Sequence, residues 1–361
     1  MDSDSVRSSY PYRGQEYNDL SLANGDCSAF SECNSDRSGE FTAASAQSRR
    51  LFVACATENS DELISCLVSA LDSTNIDEQK QAAMQIRLLA KNKADNRIRI
   101  AEAGAIKPLI SLISSNDPQL QEYGVTAILN LSLCDENKEE IASSGAILPL
   151  VHALKFATST TAKENAACAL LRLSQIEKNK TTIGQYGAIP PLVNLLETGS
   201  FRGKKDACTA LFSLCSVKEN KLRAVHSGIM KPLVELMSDF GSNMVDKSAF
   251  VLSLLMSLSE ARTEMVEEGG IPVLVEIVEV GTQRQKEIAV SILSQLCEDC
   301  VAYRTMVARE GAIPPLIALS QTGTSRAKHK VKKSENSFSH IIIHFLVTII
   351  NVFKPAQGHE L

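Results

Sequence analysis

The sequence predicts an all-α solenoid, a stack of copies of one helical unit, and three observations carry that expectation. One short phrase returns six times: Gly-Ala-Ile-Lys-Pro-Leu at Gly104, Gly-Ala-Ile-Leu-Pro-Leu at Gly145 and Gly-Ala-Ile-Pro-Pro-Leu at Gly187. It continues as Gly-Ile-Met-Lys-Pro-Leu at Gly228, Gly-Gly-Ile-Pro-Val-Leu at Gly269 and Gly-Ala-Ile-Pro-Pro-Leu at Gly311. The intervals of 41, 42, 41, 41 and 42 residues mark repeated supersecondary units rather than one closed core. Next, the phrase has a mechanism: glycine accepts the left-handed conformation past a helix end, and proline is tolerated in the following first turn. Pro108, Pro149, Pro191, Pro232, Pro272 and Pro315 therefore mark corners between two helices. Finally, 44% of the residues are hydrophobic while aromatics make up 5% and tryptophan is absent, which suits narrow helix–helix contacts.

Residues 1–47 are rich in Ser, Asp, Asn and Gly without helical or strand period, and read as a disordered tail whose serines could accept phosphate. From Ser48 the pattern turns helical, with Leu51, Phe52 and Cys55 and then Leu63, Ile64, Leu67 and Leu71. Asp77 is placed to cap a further helix. This initial unit lacks the glycine corner, as an end cap of a solenoid would. Each middle unit opens on Asn, three residues and an apolar side chain: Asn96 to Ile100, Asn137 to Ile141, Asn179 to Ile183, Asn220 to Ala224. A short first helix closes on glycine, a second follows, and a longer third ends in runs such as Ala127-Ile128-Leu129-Asn130-Leu131-Ser132. In the fifth unit Ser238 to Asn243 lengthens the loop, and the link from Ser257 to Gly269 is expected to shorten in compensation. Ala261 and Tyr303 replace the opening Asn, so a local bend or a frayed first helix is expected there. After Gly323 the pattern stops, and residues 326–361 form an atypical tail whose apolar run, Ile341 to Phe353, is too short to span a bilayer. It stands either for an alternative ending or for a helix folded onto the last unit.

Three helices in about 41 residues, with the Gly–Pro corner and the Ala-Leu-x-x-Leu-Ser third helix, resemble armadillo repeats. The resemblance implies a right-handed superhelical armadillo-repeat solenoid over 48–325. It has a partial first unit, five full units (93–134, 135–176, 177–217, 218–259 and 260–300) and a truncated last one. Residues 87–92, 103–109 and 133–138 further resemble the armadillo half of plant U-box ubiquitin ligases. In those proteins a U-box that recruits the ubiquitin-conjugating enzyme precedes the array. Residues 1–47 are too few and too polar for one.

Chemistry is searched for and mostly missing. Gly199 to Lys205 imitates a phosphate loop but is one residue short and has Lys205 where Ser or Thr is needed. Cys297 and Cys300 form a Cys-x-x-Cys pair without a second pair or a nearby histidine, so no metal or cofactor is expected. The net charge of −5 argues against nucleic acid. No membrane span is expected, and the lack of an apolar leader with long-spaced cysteines suggests the cytoplasm or nucleus.

What remains is a surface. In armadillo arrays the third helices line a concave groove, and equivalent positions form ladders along it. One ladder is expected through Leu88, Asn130, Arg172, Ser213, Ser257 and Gln295, and a second through Met84, Thr126, Cys168, Thr209, Ser253 and Ser291. A third runs through Lys80, Glu122, Glu164, Lys205, Ala249 and Glu287. Importin-type arrays carry repeated Trp and Asn on the first two; with no Trp and one Asn, a nuclear-transport adaptor is disfavoured. The expected function is a non-enzymatic protein-interaction scaffold near ubiquitin-dependent signalling, with a component of a U-box-type ligase system as the alternative.

Overall fold

The computed structural model describes residues 60–298 and 300–321, together with Phe345 and Val347. The serine-rich tail, the helical pattern before Ser60 and almost all of 326–361 lie outside these residues. Among the described residues there are helices and no strands. The initial pair is α1 (Ser60–Ala70) and α2 (Ile76–Asn92). Unit 2 is α3 (Ala94–Glu102), α4 (Ile106–Ile113) and α5 (Pro118–Leu131), and unit 3 is α6 (Asp135–Ser143), α7 (Ile147–Phe156) and α8 (Thr160–Leu173). Unit 4 is α9 (Glu177–Gln185), α10 (Ile189–Thr198) and α11 (Phe201–Leu214); unit 5 is α12 (Lys218–His226), α13 (Met230–Ser238) and α14 (Val245–Leu255). Unit 6 is α15 (Ser259–Glu267), α16 (Gly270–Val280) and α17 (Gln283–Cys297), followed by α18 (Val301–Arg309) and α19 (Ile313–Gln321).

The corners follow the local chemistry of the phrase. All six glycines have positive φ, from 74° to 89°. At Gly187 the glycine amide bonds Gly184 O and the next amide, of Ala188, reaches back to Ile183 O, satisfying carbonyls at the end of α9. Each corner proline is the third residue of its helix, where an amide would have no intrahelical acceptor.

The third helices α2, α5, α8, α11, α14 and α17 pack one on the next in unbroken series. Being flanked on both sides, they are buried almost all round: α8 covers Ala166, Ala167, Ala169, Leu170, Leu171 and Leu173. The core is continuous from Ile64 to Leu319 and also takes in Phe345, which is 1% exposed, while Val347 is 51% exposed.

Four expectations are corrected. The cap of α2 is Asn75, whose side chain accepts the Asp77 amide; Asp77 sits inside the first turn. Residues 201–205 of the imitation phosphate loop belong to α11, leaving only Gly199 and Ser200 as the link from α10. The first helices opening with Ala261 and Tyr303 are not frayed: α15 and α18 have nine residues, like α3, α6, α9 and α12. The cation at the next position holds the preceding helix there, as Arg97 does in unit 2, where its Nε donates to Ala90 O at 2.8 Å beside the Asn96 bond to Leu89 O. Arg262 Nε donates to Met256 O and Arg304 Nε to Cys297 O, each 2.7 Å, binding the end of the preceding third helix.

The fourth correction concerns register in unit 5. The link after the third helix does not shorten. Leu131, Leu173, Leu214 and Leu255 end their helices, and each precedes its corner glycine by the same fourteen residues. The longer loop is absorbed by α14 itself, which has 11 residues where α5, α8 and α11 have 14. Ser257 is thus the partner of Ser216, not of Ser213. Both are exposed, both donate to the carbonyl three residues back, and both accept a lysine ammonium at 3.1 Å, from Lys221 and Lys180. The positions equivalent to Lys205, Thr209 and Ser213 are Asp246, Phe250 and Leu254, in place of the expected Ala249, Ser253 and Ser257.

Candidate functional site

The face of the stacked third helices has two halves with different chemistry. Over units 1 to 4 its polar side chains are spent holding neighbouring units together. Asn130, 4% exposed, donates from Nδ2 to Arg87 O at 3.0 Å. Thr126 Oγ1 donates to Glu122 O and accepts from Asn165 Nδ2, while Asn165 Oδ1 accepts from Arg202 at 2.7 Å. Ser174 donates to Ser213 Oγ at 2.8 Å. Cys168 is buried, and Thr209 donates to Lys205 O within its own helix.

The row at the start of the third helices forms clamps onto the cap of the next third helix. Lys80 pairs with Asp117, the cap of α5, at 2.7 Å. Glu122 accepts from Ser159 and Glu164 from Ser200, which cap α8 and α11 by accepting the amides of Ala162 and Gly203. The Lys80 ammonium, with the Leu120 and Gln119 amides, holds the Asp117 carboxyl below the ordinary aspartate range against a modest opposing effect of burial. These residues share the expected face, but their side chains are committed.

From unit 4 onward the face opens into an aromatic patch. Phe212 and Phe250, both half-buried, meet edge to face with ring centroids 6.3 Å apart and planes at 70°. The Arg284 guanidinium of unit 6 lies 5.1 Å over the Phe250 ring. Leu254, one turn on, is also half-buried. Ser291 and Gln295 are half-buried beside it, bonded to each other at 3.4 Å, and Glu287 accepts from Gln283. Arg172, at the boundary of the two halves, keeps a buried Nε without a partner in the described residues. Sequence reasoning missed Phe250 and Leu254 because the loop of unit 5 shifted the comparison by three residues. The constant distance from helix end to glycine would have found them.

Burial pushes the Cys208, Cys215 and Cys297 thiols up to about 12, leaving them protonated at neutral pH. Among the described residues no group of His, Cys, Asp and Glu is arranged to hold a metal, and no helix is long and apolar enough to cross a membrane.

Comparison with known proteins agrees with the repeat architecture. The family model of the plant U-box protein ARM repeat region matches residues 190–334, and the armadillo/beta-catenin-like repeat matches 93–133 and 134–175. U-box domain-containing protein 12 of Arabidopsis thaliana is 51% identical over 92 residues, covering 25% of this chain and 14% of that protein. An engineered protein of known crystal structure superposes over 84% of this chain and 71% of its own, with TM-score 0.65 and 22% identity. A computationally designed armadillo repeat protein for modular peptide recognition does so over 64% and 99%, with TM-score 0.58 and 23% identity.

Proposed function

We propose that this chain, which is built of armadillo repeats like those of plant U-box proteins, is a non-enzymatic scaffold holding a protein partner on the face of its third helices. One observation carries the reading. That face is continuous, and half-buried rings beside arginine stand on it, Tyr123 with Arg87 in the first half and Phe250 with Arg284 in the second, where half-buried Leu254 adds apolar area. Partly exposed aromatic rings beside arginine are the side chains from which binding hot spots are made. The U-box relatives supply the context: a role beside ubiquitin-dependent signalling in the cytoplasm or nucleus, as adaptor or as substrate-recognition part of a ligase system. A nuclear-import role lacks its apparatus, since Asn130 is buried and bonded and the chain has no tryptophan.

Affinity capture from plant extract with the full chain, against Phe250→Ala combined with Leu254→Ser, tests the surface. Partners held by the parent and lost by the folded variant are expected; an unchanged set would place binding elsewhere. Incubation with ubiquitin-activating and ubiquitin-conjugating enzymes tests the scaffold reading. No ubiquitin chains are expected from this chain alone, and their formation would contradict it.

A further inference from the structure

The seventh unit has its first two helices, α18 and α19, but the stretch where its third belongs has the wrong composition. In units 2, 4 and 6 the third helix begins fourteen residues after the corner glycine, at Pro118, Phe201 and Gln283. The same count from Gly311 falls on Ser325 and enters Arg326-Ala327-Lys328-His329-Lys330-Val331-Lys332-Lys333. Five cations in eight residues cannot be buried almost all round, as α8 is. Yet α19 is covered as the second helix of a complete unit is. Leu316 and Leu319, five and eight residues past their glycine, are buried, as are Leu109 with Leu112, Leu192 with Leu195 and Leu274 with Ile277. In those units the second helix packs on the third helix of its own unit.

Two residues further along show what can take that place. Phe345 is helical, fully buried and part of the same continuous core as Leu316 and Leu319, whereas Val347, also helical, is exposed. Positions two apart on a helix point about 200° from one another, so these two stand on opposite sides. A last third helix has that character, with the array on one side and no further unit on the other. The run around them also has the right length. Ile341 to Phe353 is thirteen residues, against 14 in α5, α8 and α11, and is apolar save for His344, Thr348 and Asn351. Lys354 and Pro355 follow it, a cation suited to a helix end and a stop.

We propose that the end of the array is a docking surface for the chain's own tail: residues 341–353 occupy the third-helix seat of unit 7, with Phe345 turned into the core and Val347 away from it. The tail completes the last unit in place of the sequence that the repeat period calls for, and it keeps the apolar flank of α19 from a second copy of the chain.

Hydrogen–deuterium exchange on the full chain, with light scattering for its mass, tests this. Phe345→Ala is expected to speed exchange in α17 and α19 about tenfold or more while α5 and α8 stay unchanged. Phe345→Leu, expected to speed the same helices about threefold, carries the comparison should the alanine variant fail to fold. Val347→Ala should change them less than about twofold, and the parent chain should be a monomer. Unaltered exchange in both Phe345 variants overturns the proposal, as do equal effects at Phe345 and Val347. A parent dimer that Phe345→Ala converts to monomer overturns it too, by giving the seat to the tail of a second copy.

Discussion

The first and second halves of the array solve one architectural problem with different residues, and the difference separates holding the stack from meeting a partner. In units 2 to 5 a buried asparagine closes each junction: Asn220 Nδ2 bonds Leu214 O and Lys180 O, both at 3.0 Å, and Asn137 does the same with Leu131 O and Arg97 O. In unit 6 and α18 the asparagine is gone and the arginine of the next position, which Arg97 already uses beside Asn96 in unit 2, is left to bond the end of the preceding third helix. The face follows the same division. Its early rows are mostly polar and bonded across units, with the Tyr123 ring under Arg87, whereas its later rows bring two rings, Phe212 and Phe250, together beside a half-exposed leucine. A residue's place in a ladder thus gives its neighbours but not its job.

The comparison can be broken most sharply at the asparagines. Asn220→Ala removes a fully buried amide and leaves two carbonyls without their partner, so chemical denaturation should show a loss of about 2–4 kcal/mol. Gly184→Ala attacks the same junction from the other side. A Cβ there would lie 1.8 Å from Asn220 Oδ1, forcing that side chain out of place, and a loss of about 1–3 kcal/mol is expected in the same measurement. Arg304→Ala should cost only about 1 kcal/mol, because its half-exposed site lets water reach the freed carbonyl. If Arg304→Ala proved as damaging as Asn220→Ala, the two halves would not differ in the way described.

The smallest effect concerns the early clamps. Because the Asp117 carboxyl is held below its ordinary range, the folded state binds its proton less readily than the unfolded chain does. Its contribution is therefore complete above the ordinary aspartate pKa and is lost as pH falls through the lower folded value. Asp117→Asn, which can still cap α5, should cost at most about 1 kcal/mol at neutral pH and lessen the loss of stability in acid. Thermal melts of both chains from neutral to acidic pH check the sign.

The fold was legible because its signals are local. Positive φ at Gly104 or Gly187 and proline in the next first turn are properties of a few adjacent residues, repeated at fixed spacing. The face was less legible. Nothing in the sequence says that Asn130 points its amide at Arg87 O or that Glu164 holds the Ser200 cap, since those partners lie a whole unit away. In unit 5 the Ser257-Leu258 pair imitated the endings of α5 and α8, and a loop insertion absorbed by a shorter α14 moved the expected ladder three residues away from Phe250.

The central claim is that a partner meets the third helices of the later units. Hydrogen–deuterium exchange on the full chain, with and without its captured partner, tests it most directly. The account predicts slowed exchange in α14 and α17, with α5 and α8 unchanged. Protection confined to the second helices α4, α7 and α10, with α14 and α17 exchanging as in the free chain, would contradict it.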